Sequence, residues 1–202
     1  MTMVFELAIS ALIGYFLGSI NGAQIISSLN DVEIKKEGSG NAGTTNVLRV
    51  MGKKAAIITL VADSVKAVIA CLVAKFLFGD NALFIAGVFC VIGHIWPVFF
   101  KLKGGKGVLT TFVVLIMIDW QIALMMFGLF LIIVLITRYI SLGSMVSATL
   151  FFVVAMIMGR SIEEIVASAF LGFLIVVKHS SNISRLIQGK ENKFGGKKTD
   201  EK

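Results

Sequence analysis

Long apolar runs, each closed by a short polar interruption, set the rhythm of this chain. They cover residues 3–29, 55–78, 82–96, 108–118, 121–136, 142–158 and 163–177. A helix needs about 20 apolar residues to cross the hydrocarbon core of a bilayer, and several of these runs approach that length. The pattern predicts an all-α polytopic membrane bundle of about seven transmembrane helices. The 108–118 run is short for a crossing, which leaves six as the alternative. In the first run Gly14, Gly18 and Gly22 recur every four residues. They lay a smooth stripe along one helix face, as close packing between membrane helices requires. The third run stops at Pro97, which has no N–H with which to continue a helix.

Composition agrees with that pattern. Of 202 residues, 57% are hydrophobic, only 15% are charged and one is proline. A soluble domain of this length carries more charge and shorter apolar runs. The reading is a single membrane domain over residues 1–202, with a flexible polar tail from about residue 193. A cleaved leader is not expected. No basic region precedes the first apolar run, Glu6 lies inside it, and it outlasts the hydrophobic core of a signal peptide. Cys71 and Cys90 fall within apolar runs with no ligand cluster around them, so they read as packing residues rather than a disulfide or a metal site.

Charge then orients the chain. With seven spans, alternate loops and the tail collect 16 of the 19 lysines and arginines on one side. By the positive-inside rule that side is cytoplasmic, which puts the N-terminus outside and the C-terminus in the cytoplasm. Three polar segments rich in candidate chemistry all fall on the cytoplasmic face.

The first segment runs Gly38-Ser39-Gly40-Asn41-Ala42-Gly43-Thr44-Thr45-Asn46-Val47-Leu48-Arg49. Closely spaced glycines let a backbone turn tightly and aim N–H groups into one concavity. Ser39, Asn41, Thr44 and Asn46 add hydrogen-bonding groups, and Arg49 adds a planar cation that grips two oxygens at once. A spacer needs none of these, so the segment reads as a phosphate site. The second segment is Gly104-Gly105-Lys106-Gly107, followed at once by an apolar run whose N-terminus favours an anion. It is not a Walker loop, since Val108 stands where Ser or Thr should follow and the glycine spacing fails. Taken alone, it reads equally as a basic turn obeying the positive-inside rule. The third segment holds His179, Asn182, Arg185 and Glu191, with His179 and Asn182 three residues apart and projecting together from a helix end. The other histidine, His94, precedes Trp96-Pro97. Neither histidine has Asp five residues on, so the dyad of coenzyme-A-dependent glycerolipid acyltransferases is missing. Within the second run, Asp63 and Lys66 share a helix face at i, i+3. They read either as a structural ion pair or as support for the site.

Together the three segments resemble the PlsY family of bacterial membrane acyltransferases. The pattern Gly-Ser-Gly-Asn-x-Gly-x-Thr-Asn-x-x-Arg is met by Gly38 through Arg49. His-x-x-Pro-x-Phe with Gly-Gly-Lys-Gly is met by His94, Pro97, Phe99 and residues 104–107. His-x-x-Asn-x-x-Arg-Leu-x-x-Gly-x-Glu is met by His179, Asn182, Arg185, Leu186, Gly189 and Glu191. The chain departs from the family at Asn21 (usually Pro), Lys35 (usually Arg), Ala67 and Phe112 (both usually Gly).

The resemblance implies transfer of an acyl group from acyl phosphate to the 1-position of glycerol 3-phosphate, giving lysophosphatidic acid and inorganic phosphate. It implies Ser39, Arg49, Lys106, His179 and Asn182 as catalytic residues. Gly38, Gly40, Asn41, Gly43, Thr44, Asn46, Gly104, Gly105 and Gly107 would hold substrate phosphate, and His94, Asp63, Lys66, Arg185 and Glu191 would support them. Direct transfer without an acyl-enzyme agrees with Ser39 having no neighbouring base in the sequence. No cofactor, metal or nucleic acid is called for. The expected surroundings are the bacterial inner membrane, with the active site at its cytoplasmic face and a hand-off from an enzyme that makes acyl phosphate. A transporter or channel for a phosphorylated anion would also use glycine-rich helix ends and basic residues. It would more naturally show internal repeats and a site near the bilayer midplane.

Overall fold

The structure is a computed structural model, and it describes residues 2–195. Among them every regular element is helical. The chain forms two compact units, one ending at Asp119 and the other beginning at Trp120.

In the first unit α1 (Thr2–Ser19) is followed by α2 (Gly22–Ser28), α3 (Thr44–Met51), α4 (Lys53–Phe78), α5 (Asp80–Ile95) and α6 (Val108–Ile118), with a single 3-10 turn at Val98–Phe100. α1 lies along α5, and the glycine stripe explains how closely. A Cβ on Gly14 would collide with the Ala86 carbonyl, and one on Gly18 with the Cys90 carbonyl. Gly93 of α5 returns the contact against the Tyr15 carbonyl. Backbone therefore meets backbone, the geometry that small residues permit in membrane helices. The far end of α5 is pinned to α1 as well. The Tyr15 hydroxyl donates to the Trp96 carbonyl at 3.0 Å, and the Val98 N–H donates to Ser19 Oγ at 3.3 Å.

The first apolar run, expected as one span over 3–29, is interrupted. Helix α1 ends at Ser19, and Asn21 caps α2, its side chain accepting from the Gln24 N–H at 2.9 Å. An interruption inside an apolar run strands backbone groups that lipid cannot satisfy. The expected i, i+3 pair of α4 supplies the partners. Lys66 Nζ donates to the Gly18 carbonyl at 3.1 Å and the Ile20 carbonyl at 2.6 Å, while Asp63 Oδ1 accepts from the Gly22 N–H at 3.1 Å. The two side chains pair with each other at 2.8 Å and are almost wholly buried.

The second unit contains α7 (Trp120–Thr137), α8 (Ile140–Ile157), α9 (Ile162–Lys178) and α10 (Ser180–Ile187). α8 packs against both α7 and α9, and Gly172 of α9 comes close to the Ala148 carbonyl of α8. Ser161 caps α9 by accepting from the Glu164 N–H at 3.2 Å. Of the expected flexible tail, residues 193–195 are described: Lys193 Nζ sits 5.9 Å over the Tyr139 ring, and the Phe194 N–H donates to the Arg138 carbonyl at 2.7 Å. The rest of that tail lies outside the described residues.

Among the described residues five stretches are long and apolar enough to cross a membrane: Met3–Ser28, Lys53–Phe78, Asp80–Phe100, Trp120–Thr137 and Ile140–Ile157. Their outward faces carry bare apolar side chains such as Ile57, Val61, Phe76, Leu135 and Ile136. Apolar surface of that extent belongs against lipid. α6 is shorter, and its 11 residues rise only about 16 Å.

Candidate active site

In the first unit the loop before α3 is folded around one side chain. Buried Asn46 accepts at Oδ1 from the Ser39 N–H (2.8 Å) and donates through Nδ2 to the carbonyls of Glu37 (2.9 Å) and Ile34 (3.2 Å). Gly38 lies directly over that amide with φ of +60°, where a Cβ would strike Asn46 Oδ1. Sequence reasoning placed Asn46 among the phosphate ligands, whereas here both ends of its amide are engaged by the loop it organises. What the loop presents outward is Ser39 and Arg49, both exposed, with Asn41 half-buried. One terminal guanidinium nitrogen of Arg49 also donates to Asn46 Oδ1 at 3.4 Å, which ties the tip of the side chain to the loop. Gly43 and Thr44 stand at the N-terminus of α3, where Gly43 takes the capping position without a side chain.

The Gly104–Gly107 turn is tied down differently from expectation. Its first two N–H groups, expected to face an anion, instead donate to helix α5: Gly104 to the Ile95 carbonyl at 3.1 Å and Gly105 to the His94 carbonyl at 3.2 Å. Those carbonyls are the last-turn orphans of a helix that Pro97 cannot extend, so the returning turn caps them. A Cβ on Gly104 would strike the His94 carbonyl, and one on Gly105 the His94 ring, so both positions need the bare backbone. Donors for an anion are left to the N-terminus of α6, entered through Gly107 at φ of +81°, beside half-buried Lys106. Two residues that the sequence reading did not single out as site residues hold the turn. Lys35 Nζ donates to the Gly104 carbonyl at 2.9 Å, and Gln24 Nε2 to that of Lys103 at 3.1 Å. A lysine in place of the family's usual arginine was the one signal for Lys35, and Gln24 gave none.

In the second unit His179 forms the joint between α9 and α10. Its Nδ1 lies 2.7 Å from the Ile175 carbonyl, which can only accept. The ring proton is therefore on Nδ1, and Nε2 is the basic nitrogen. Asn182, one turn on and buried, donates through Nδ2 to Glu191 Oε1. The same carboxylate accepts from the Ser141 hydroxyl at 2.7 Å and from Arg185 Nε at 2.7 Å. Burial pushes the Glu191 carboxyl upward, but the hydrogen bonds from Asn182, Ser141 and Arg185 outweigh it and hold it below the ordinary 4.5. Ser141 was missed by the sequence reading, since nothing in a 50-residue separation marks it. Among the described residues no group of three His, Cys, Asp or Glu side chains is placed to hold a metal ion.

Comparison with known proteins follows the same lines. The glycerol-3-phosphate acyltransferase family profile matches residues 8–189. Curated relatives of that name include one from Thermoanaerobacter sp. (strain X514), 40% identical over 190 residues, covering 94% of this chain and 96% of its own. Another, from Clostridioides difficile (strain 630), is 38% identical over 206 residues, covering 96% and 98%. Two crystal structures of PlsY, an integral membrane glycerol 3-phosphate acyltransferase, share the fold at 36% identity. The glycerol 3-phosphate form has a TM-score of 0.88 and the lysophosphatidic acid form 0.86, each covering 94% of this chain. With its apolar helices this is a multi-pass membrane protein. Family match, near-complete coverage and shared fold agree: the chain belongs to the PlsY glycerol-3-phosphate acyltransferase family.

Proposed function

We propose that this protein acylates the 1-hydroxyl of glycerol 3-phosphate with acyl phosphate as donor, releasing lysophosphatidic acid and inorganic phosphate. The observation that carries the reading is the family match across residues 8–189. In the reaction the hydroxyl oxygen bonds to the acyl carbon, the bond from that carbon to the phosphate oxygen breaks, and phosphate leaves with the electron pair. A mixed anhydride already has a good leaving group, so the protein needs mainly to place the reactants and stabilise charge.

The side chains suit that division of labour. Arg49 and Lys106 supply the cations for two phosphates, Ser39 and Asn41 orient phosphate oxygens, and Asn182 does the same from α10. His179 takes the hydroxyl proton at Nε2, the nitrogen its bond to Ile175 leaves basic. Among the described residues no base is hydrogen-bonded to the Ser39 hydroxyl, which favours direct transfer over an acyl-serine. In this reading the chain is a single domain with seven spans, α6 and α9 joining the five long stretches. The N-terminus is outside, and the active site is at the cytoplasmic face of the bacterial inner membrane. Its donor arrives from an enzyme that makes acyl phosphate.

The test is an assay of detergent-purified protein. Given glycerol 3-phosphate and palmitoyl phosphate, it should release phosphate and form the 1-acyl product without added metal, with palmitoyl-coenzyme A inert or much slower. Efficient use of the thioester, or phosphate release without acyl transfer, would overturn the assignment. Arg49→Ala and Lys106→Ala should each cost about 100-fold or more in kcat, the scale expected for a group stabilising charge in the transition state. Arg49→Lys should also be poor, because an ammonium cannot make a two-pronged grip.

A further inference from the structure

His94 sits at the end of α5 with its ring almost wholly buried, and its two nitrogens face different worlds. On one side Nδ1 lies 2.9 Å from Lys66 Nζ and 3.8 Å from Asp63 Oδ1. On the other side Nε2 faces the place where the two glycine segments meet. A Cβ added to Gly105 would strike that nitrogen and lie 2.6 Å from the Ala42 carbonyl oxygen. Ala42 belongs to the Gly38–Arg49 segment and Gly105 to the Gly104–Gly107 turn, so the ring edge closes the seam between them.

The contact with Lys66 selects the tautomer. Lys66 is surrounded by acceptors, namely the Gly18 and Ile20 carbonyls and the Asp63 carboxylate, and an ammonium has three N–H donors and no lone pair. Nδ1 must therefore accept, which leaves the ring proton on Nε2. The Nε2 edge then rests against the Gly105 backbone, where no side chain could be fitted. The order is the reverse of His179, whose proton is on Nδ1.

We propose that His94 is a positioning residue of the acyl transfer: Lys66 and Asp63 lock it as the Nε2–H tautomer, and that edge of the ring, packed against Gly105, sets the spacing of the two glycine segments. The same two charged groups that close the α1–α2 interruption thus set the spacing of the loops that carry Arg49 and Lys106. The functional half of the inference rests on the phosphate-binding reading of those loops, while the tautomer does not.

Two measurements separate these halves. In purified full-length protein labelled with ¹⁵N-histidine, with His94→Gln used to assign the signals, the His94 ring should show a single Nε2-protonated tautomer. The paired neutral variant Asp63→Asn/Lys66→Met should release it to a mixture. An Nδ1-protonated or rapidly exchanging ring in the native protein overturns the proposal, as does a ring unchanged in the double variant. The kinetic arm compares two amides. Gln places an N–H near the site of Nε2, whereas Asn offers its polar atoms only near the site of Nδ1. His94→Asn leaves the Gly105 side unfilled and should therefore raise KM for a phosphate substrate about tenfold, the scale of a modest misplacement of binding groups, with kcat falling less. His94→Gln should stay close to native. A rise confined to glycerol 3-phosphate or to acyl phosphate identifies whose phosphate the seam places, and equal KM values in both variants overturn the positioning role. If the native protein does not acylate glycerol 3-phosphate at all, the proposed function fails, and the tautomer is still decided by the spectrum.

Discussion

Two carboxylate–cation pairs, one in each unit, have nearly the same length and opposite characters. Asp63–Lys66 closes at 2.8 Å and Glu191–Arg185 at 2.7 Å. The first has side chains 2% and 4% exposed, whereas Arg185 is 35% exposed beside a buried Glu191. Around the first pair the other partners are mostly backbone: the Gly18 and Ile20 carbonyls and the Gly22 N–H. Around the second they are side chains, Ser141 and Asn182. An ion pair that satisfies backbone holds a chain path, and one that satisfies side chains holds a constellation. Separation alone does not distinguish them; what else each charge touches does.

By that contrast, breaking the first pair should cost most. Lys66→Met leaves a buried carboxylate and two orphan carbonyls, and should destabilise the protein by about 3–5 kcal/mol, the usual cost of halving a buried pair. Thermal unfolding in detergent measures it, with Asp63→Asn/Lys66→Met recovering part of the loss. A single variant as stable as the native protein would show that the interruption does not depend on the pair. Glu191→Gln comes next. Three donors converge on the carboxylate, and the new amide must turn its own N–H groups on at least one of them. A loss of about 1.5–3 kcal/mol is expected, on the scale of hydrogen bonds to a charged group. The variant should lose activity in excess of its change in melting temperature, because Asn182 is released. Loss of stability with full activity per folded molecule would make the second pair a fold device like the first.

Acid sharpens the comparison more gently. The Glu191 carboxyl lies below its ordinary 4.5 in the folded protein, so its contribution is complete above that value and fades as the pH falls through the folded value. Melting temperature should therefore drop below about pH 4.5 in the native protein more steeply than in Glu191→Gln. Parallel curves would remove Glu191 as the origin. The smallest effect belongs to Ser141→Ala, which withdraws one neutral donor and should cost about 1 kcal/mol. An effect as large as that of Glu191→Gln would place the burden on the link to α8 rather than on the charge.

Much of this was legible in the sequence, for reasons that also mark where legibility ended. Helical class and apolar runs follow from composition on a scale of 20 residues. The Asp63–Lys66 pair follows from i, i+3 spacing, and the stripe at Gly14 and Gly18 from its period. The break at Asn21 did not follow, because a hydropathy pattern stays apolar on both sides of it and registers no missing hydrogen bonds. Asn21-Gly22 after Ile20 was the available cue, a capping residue followed by a small one. The loop-holding bonds of Asn46 escaped notice for a related reason: residue type announces hydrogen bonding but not whether the partner is a ligand or the loop's own backbone. Gly104 and Gly105 likewise announced bare N–H groups, and only the path of the chain reveals that the end of α5 takes them. Gln24, Lys35 and Ser141 were not picked out as site residues because their partners lie 79, 69 and 50 residues away.

The interruption between α1 and α2 has a consequence for how the protein is made. A lysine and an aspartate near the middle of an apolar helix are costly to bring into lipid without partners. The i, i+3 pairing lets α4 enter with its two charges already facing each other. The groups that complete their coordination, Gly18, Ile20 and Gly22, emerge from the ribosome some 40 residues earlier, so they are in place when α4 arrives. His94 emerges later and settles on a lysine already held. Chain order supplies the acceptors before the donor that needs them. A circular permutant that makes α1 last would ask α4 to wait in the bilayer with its lysine half-coordinated.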